Sequence, residues 1–348
     1  MRRFCFLLAL AIAVSACIGL AQQAPTAGPY KVLKTARVGG DGGFDYVYAD
    51  AAGRRLYIPR SGAGARVTVF NLDTLEPVGE IPNANARGAA VDPVSGHGFA
   101  SSKPVVMWDT KTLATIKTID VQGNPDGILF DPFNQRVYVW SHSAPNATVI
   151  NSVDGAVLGT IDLGGAPEQA VTDGKGHIYV DIEDKANVAA IDAKTMTVTA
   201  HYDLGDKGST PAGLAFDVKN GILFVACRTP APGTMVVLNA ADGKFITSLP
   251  LAGGSDGAVF NPATMEAFSS AGNGTLTIIK ENSPTSFVQE QVVQTMSGGK
   301  TLTLDRTTDH ILVIAAETAP PPTPPPAGGR GGRGQMVPGS FSILAVGK

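Results

Sequence analysis

Cysteine is almost missing from this chain. Of three in 348 residues, Cys5 and Cys17 fall in the first 21 positions, and only Cys227 lies further in. A disulfide framework is therefore excluded. The lone thiol, at the end of the apolar run Ile222–Ala226, reads as a small packed side chain. Aromatics are scarce at 7% and charged residues make up only 16%, with a net charge of −3, so nothing draws the chain as a whole to nucleic acid or anionic lipid. Beyond the N-terminus no apolar run is long enough to span a bilayer. There is no haem-attachment C-x-x-C-H, no H-E-x-x-H and no P-loop. What abounds is Gly, with 41 residues, and Pro, with 24, as frequent turns between short strands require.

The first residues have the form of an export signal. Met1-Arg2-Arg3 supplies the positive start and Phe4–Ala16 the apolar run. Two processing sites fit. Gly19-Leu20-Ala21 is a small-x-small site that gives a mature chain from Gln22. Val14-Ser15-Ala16-Cys17 resembles a lipobox that would leave a lipid on Cys17 and make the protein an outer-membrane lipoprotein. The expected location is periplasmic or secreted in both cases.

The rest is repetitive. A short apolar run ends in a polar residue at Asp50, Asp92, Asp131, Asp173, Asp217, Asn261 and Asp305, at intervals of 39 to 44 residues. A tight turn and a second run follow each, as in Leu56–Ile58, Val137–Trp140 and Ile222–Val225. A third run (Val67–Asn71, Val105–Trp108, Val188–Ile191) and a fourth (Pro77–Ile81, Thr115–Ile119) complete the unit. Four strands recurring about every 43 residues are the signature of a β-propeller blade, and seven markers predict seven blades. The seventh unit ends after its third strand, Phe341–Val346, and Tyr30–Val38 is left over ahead of the first marker. The N-terminal strand is expected to complete the last blade, closing the ring and removing its edge. The prediction is an all-β, seven-bladed propeller of four-stranded antiparallel blades over residues 30–348. Its one long insertion, Thr318–Gly339, is rich in Pro, Gly and Arg and is expected to be a disordered loop.

Units such as DPFNQRVYV (Asp131–Val139), WDTKTLATIKTI (Trp108–Ile119) and VAAIDAKTMTVT (Val188–Thr199) resemble the YVTN-repeat propellers, the YncE-like group of exported bacterial proteins. The YVTN tetrapeptide itself is replaced by Tyr57-Ile58-Pro59-Arg60, Tyr138-Val139-Trp140-Ser141 and Tyr179-Val180-Asp181-Ile182. These motifs specify blades, so the resemblance implies fold and export and leaves the activity open. Related seven-bladed folds serve as binding proteins, lactonases and haem d1 carriers.

Repeat phase places the candidate site. Five positions before each marker stand Asp45, Arg87, Asp126, Glu168, Ala212, Asp256 and Lys300, so six of seven equivalent positions are charged. They should ring one mouth of the channel. The loops after the second strands add Arg60, His142, Glu183, Arg228 and Glu317. A concave place with converging charges suits a ligand, and the bland alternative is a solvated rim. Of the histidines, His97, His177 and His310 fall in equivalent hairpin turns at the opposite end and His201 on an outer strand. His142 alone faces the mouth, and no histidine cluster for a metal is expected. The acids could hold Ca²⁺, although no cofactor is required. Gly253–Gly257 fits G-x-S-x-G but precedes a strand, and 329–334 fits G-x-G-x-x-G without a βα turn, so both are coincidental.

Three functions are open. The first is an exported monomeric propeller binding a small molecule or protein at its mouth without catalysis. The second is a lactonase-like hydrolase using mouth carboxylates with a divalent cation. The third is a nucleic-acid binder using Arg330 and Arg333, which the acidic ring opposes.

Overall fold

A computed structural model describes residues 23–320 and 335–348. The predicted signal segment, Cys17, Arg330, Arg333 and most of the predicted loop lie outside the described residues. The described residues form seven four-stranded sheets, and their strands pair antiparallel with their neighbours. In blade three, Pro125–Asp131, Arg136–Ser141, Ala147–Asn151 and Val157–Ile161 run from the inside outward. The other blades repeat this order, with inner strands Tyr48–Asp50, Ala89–Asp92, Pro167–Thr172, Ser209–Asp217, Ser255–Asn261 and Gly299–Asp305. Lys31–Arg37 pairs antiparallel with Ser342–Gly347 and forms the outer strand of blade seven, as the leftover N-terminal segment predicted.

The polar markers earn their periodicity twice over. Each accepts an amide hydrogen two or three residues on, for example Gly53 N–H on Asp50, Val94 on Asp92 and Lys175 on Asp173 at 2.9, 2.9 and 2.7 Å. Such side-chain-to-backbone bonds set the hairpin turn. Several markers also tie neighbouring blades. Ser152 donates to Asp92 at 2.7 Å, Thr172 to Asp131 at 2.8 Å, and Arg54 holds Asp305 through two bonds of 2.7 and 2.8 Å. Residues ending the third strands, such as Asn71, Asp109 and Asp192, cap the next turn in the same way.

The core lies between blades because each sheet is covered on both faces. Tyr138 and Trp140 of blade three pack on Ile178, Val180 and Ile182 of blade four. Leu56, Ile58 and Phe70 meet Ile314, Phe341 and Ile343 across the closing seam, so the ring is shut by the same packing that builds it. Cys227 is fully buried, and burial raises its thiol to about 12, as suits a packing residue. Among the described residues no helix is long and apolar enough to cross a membrane.

The flanks of the 318–339 insertion are joined. Thr318 bridges Met336, and Ala319 and Val337 donate to Gln335 and Glu317 at 2.8 Å each.

Candidate functional site at the channel mouth

The charged positions owe their aim to the backbone. In blades three to seven the inner strand slips register where the ring residue stands: between Pro125 and Ile128, Pro167 and Ala170, Pro211 and Gly213, Ser255 and Gly257, and Gly299 and Leu302. A bulge frees one residue from the ladder and re-aims its side chain. Asp126, Glu168, Asp256 and Lys300 all sit in such slips. Hydroxyls of the neighbouring blade hold the backbone there: Ser101 donates to the carbonyl of Asp126, Ser270 to that of Lys300 and Thr301 to that of Asp45.

The position after the ring is glycine in four blades: Gly88, Gly127, Gly213 and Gly257. A Cβ on Gly213 would stand 2.7 Å from the carbonyl carbon of Gly257, and one on Gly127 2.8 Å from the oxygen of Glu168. Bare backbone therefore lets inner strands approach closely. Two exceptions in this column fill the channel. Tyr46 reaches from the first blade to the fourth, donating its hydroxyl to Glu168 at 2.9 Å. Gln169 accepts from the amides of Leu214 and Ala258 at 3.1 and 3.0 Å and donates to the Ala258 carbonyl at 2.8 Å. With Trp140 and Glu168 they line a cavity of about 190 Å³.

Above this plug the charges form a girdle. Lys300 binds Asp45 at 2.7 Å, Arg87 contacts Asp45 and Asp126 at 3.3 Å each, and His142 Nε2 lies 2.9 Å from Asp126 and 3.5 Å from Glu168. Further round, Arg228 pairs with Glu183 and, at 2.8 Å, with Asp256. Every blade contributes, since Arg228 fills the gap that Ala212 leaves in blade five. A polar hollow of about 370 Å³ opens beside Arg87, lined also by Lys103, Asn85 and Asn124.

Burial and acid neighbours retain protons at the centre. The Asp126 carboxylate, hydrogen-bonded to His142, holds its imidazole up at about 9 against the effect of burial. Burial, then the charges of Asp126 and Glu183, push Glu168 up to about 7. Asp181 in the strand His177–Ile182 is fully buried, and neither of its oxygens makes a hydrogen bond of normal geometry among the described residues. Burial and the nearby Glu168 raise it well above the carboxylate range.

Nine of the eleven predicted residues thus come together: Asp45, Arg87, Asp126, His142, Glu168, Glu183, Arg228, Asp256 and Lys300. Two do not join them. Arg60 is 1% exposed, lies 3.9 Å over the ring of Phe341 and donates to the carbonyls of Gly40 and Gly42. It ends the strand Arg55–Arg60 and packs at the closing seam. Glu317 is exposed and pairs with Arg37 at 3.5 Å beside the insertion. Tyr46, Gln169 and Asp181 were not singled out as site residues. For the first two a signal was present, since each breaks an otherwise glycine-rich column. The other histidines stand apart from the mouth: His97, His177 and His310 each open a second strand, and His201 lies on the outer strand Thr197–Asp203. Ser255, the centre of the G-x-S-x-G match, is fully buried and bonded to Ser269 at 2.9 Å.

No protein-family model matches the chain, and no curated protein matches its sequence. Among solved structures it is similar to a chain of the Mitotic Checkpoint Complex, with a TM-score of 0.71 at 11% identity over 90% of this chain and 96% of that one. Kuenenia stuttgartiensis Hydrazine Synthase matches with a TM-score of 0.64 at 16% identity, over 77% and 91% of the two chains. The Myceliophteria thermophila Cps50 (Swd1) β-propeller domain matches at 0.64 and 11%, over 82% and 96%. At these identities the likeness is one of fold.

Proposed function

We propose that this is an exported propeller of the YVTN-repeat, YncE-like type that binds a ligand or protein partner at its charged mouth, without catalysis. One observation carries the reading: charged side chains from all seven blades converge on one end of one channel, most of them aimed by bulges. Five acids there face Arg87, Arg228, Lys300 and the His142 imidazole, which leaves one acid in excess by count, so the favoured ligand presents a cationic group. A protein partner also fits, since the similar propeller of the Mitotic Checkpoint Complex belongs to an assembly. Hydrogen exchange with spermidine or a Lys/Arg-rich peptide tests the site. Protection should concentrate at 125–128, 167–170 and 255–258. No protection, or protection confined to the opposite turns near Asp92 and Asp173, would count against it.

A lactonase-type hydrolase is the second reading. It is favoured by the juxtaposition of Asp126, His142 and Glu168, in which the imidazole is held well above its ordinary value and Glu168 is raised towards neutrality. Turnover of simple lactones, lost in Glu168→Gln, would decide for it.

A further inference from the structure

We propose that Asp126, His142 and Glu168 are the three protein ligands of a single divalent transition-metal ion of the zinc or cobalt class. This deepens the reading of the mouth as the binding site and depends on it. The inward-facing atoms of the three residues all lie within 4.8 Å of one another. His142 Nε2 is 2.9 Å from Asp126 Oδ2 and 3.5 Å from Glu168 Oε1. Bonds of about 2.0–2.2 Å around one ion set neighbouring ligand atoms roughly 3.0–3.5 Å apart, so His142 already stands at close to that spacing from both acids, and the acids themselves lie within 4.8 Å of each other.

The remaining oxygens of the two acids face other groups. Arg87 Nε forms an ion pair with Asp126 Oδ1 at 3.3 Å without a hydrogen bond, and the Tyr46 hydroxyl donates to Glu168 Oε2 at 2.9 Å. The Tyr46 bond leaves Glu168 a single oxygen to offer inward, the outer-shell arrangement that orients metal ligands.

The donor set selects the ion. Calcium takes oxygen ligands, whereas an imidazole with two carboxylates suits zinc, cobalt, iron or nickel. A transition metal therefore takes the place of the Ca²⁺ that the acids alone could hold. The His142 side chain is 34% exposed, so the ion's outward position opens to the mouth, where a water or ligand group can complete the shell.

The test is titration of Co²⁺ into the chelator-treated full chain, followed by calorimetry and visible absorption. One Co²⁺ per chain should bind with d–d bands and no thiolate charge-transfer band. His142→Asn and Glu168→Gln should each weaken binding at least ~10-fold, and Tyr46→Phe should do so by about 10-fold through lost orientation. His177→Asn, at the opposite-face pair with Asp173, should change nothing. Melting curves of each variant separate lost binding from lost folding, and Glu168→Gln carries the test if His142→Asn does not fold. Failure of Co²⁺ and Zn²⁺ to bind, or binding that survives both ligand substitutions, overturns the metal. If spermidine still protects the mouth in that case, only the metal fails; if it does not, the binding site fails with it.

Discussion

Tyr46 of the first blade crosses the channel and donates its hydroxyl to Glu168 of the fourth, 2.9 Å away. One side chain thus joins opposite walls of the ring, closes the channel below the mouth and fixes a carboxylate at its centre. Burial and the acids around it keep the phenol protonated far above neutral pH, so it remains a donor at every physiological pH.

Tyr46→Phe removes that donor and keeps the ring. The loss of one hydrogen bond to a charged or partly charged acceptor should cost about 1.5–3 kcal/mol of stability. Chemical denaturation measures it. A change within error would mean that water replaces the hydroxyl and the channel is not closed there.

Closure by the N-terminal strand is testable by truncation. Lys31–Arg37 pairs with Ser342–Gly347, and the Tyr30 hydroxyl and Lys348 amine both bind the buried Glu266. A chain beginning at Asp41 exposes the edge of blade seven and removes the Tyr30 hydroxyl from that buried carboxylate. It should melt far below the parent, and an unchanged melting temperature would contradict the pairing.

The seam between blades seven and one also sets an acid limit. Against the opposing effect of burial, Arg54 holds the Asp305 carboxyl below its ordinary range. A folded value below the unfolded one, about 3.9, gives stability that is present above that pH and lost as pH falls through the lower folded value. Asp305→Asn should lower the melting temperature at neutral pH and flatten its fall under acid. An unaltered acid limb would show that the pair contributes nothing.

Arg60 separates packing from binding. Its guanidinium is buried under Phe341 at the seam, and burial lowers it to about 10. Arg60→Ala should destabilise the fold by roughly 2–4 kcal/mol, leaving carbonyls of Gly40 and Gly42 unpaired. Ligand affinity at the mouth should be unchanged once folding is corrected for. A selective loss of binding would return Arg60 to the site.

Much of this was readable because the markers act locally. Asp50, Asp92 and their equivalents cap turns two residues on, so their spacing records the blades directly, and repeat phase then places Asp126 or Glu168 at one end without coordinates. Phase says which end a residue faces and not where its side chain turns. Arg60 was placed in the same tier as His142, yet it is the last residue of its strand, equivalent to Ser141 and one position short of His142, and its side chain folds under Phe341. Glu317 stands two residues past its strand, where the chain turns into the insertion, and its side chain meets Arg37 instead of the mouth. Bulges leave no mark in residue type, so the slips that aim the ring were invisible. Contacts such as that of Tyr46 with Glu168, 122 positions apart, exist only once the ring has closed.

A thermal-shift screen tests the central claim most directly, comparing the mature chain with the Asp45→Asn/Asp256→Asn and Asp126→Asn/Glu168→Gln variants. The probes are Zn²⁺, Co²⁺, Mg²⁺, Ca²⁺, spermidine and a Lys/Arg-rich peptide. A ligand at one hundred times its Kd adds about 2.7 kcal/mol of stability, or several degrees for a chain of this size. At least one probe should raise the melting temperature, and one or both variants should abolish the rise. No shift from any probe, with both variants intrinsically more stable than the parent, would reduce the girdle to rim charges and contradict a binding mouth.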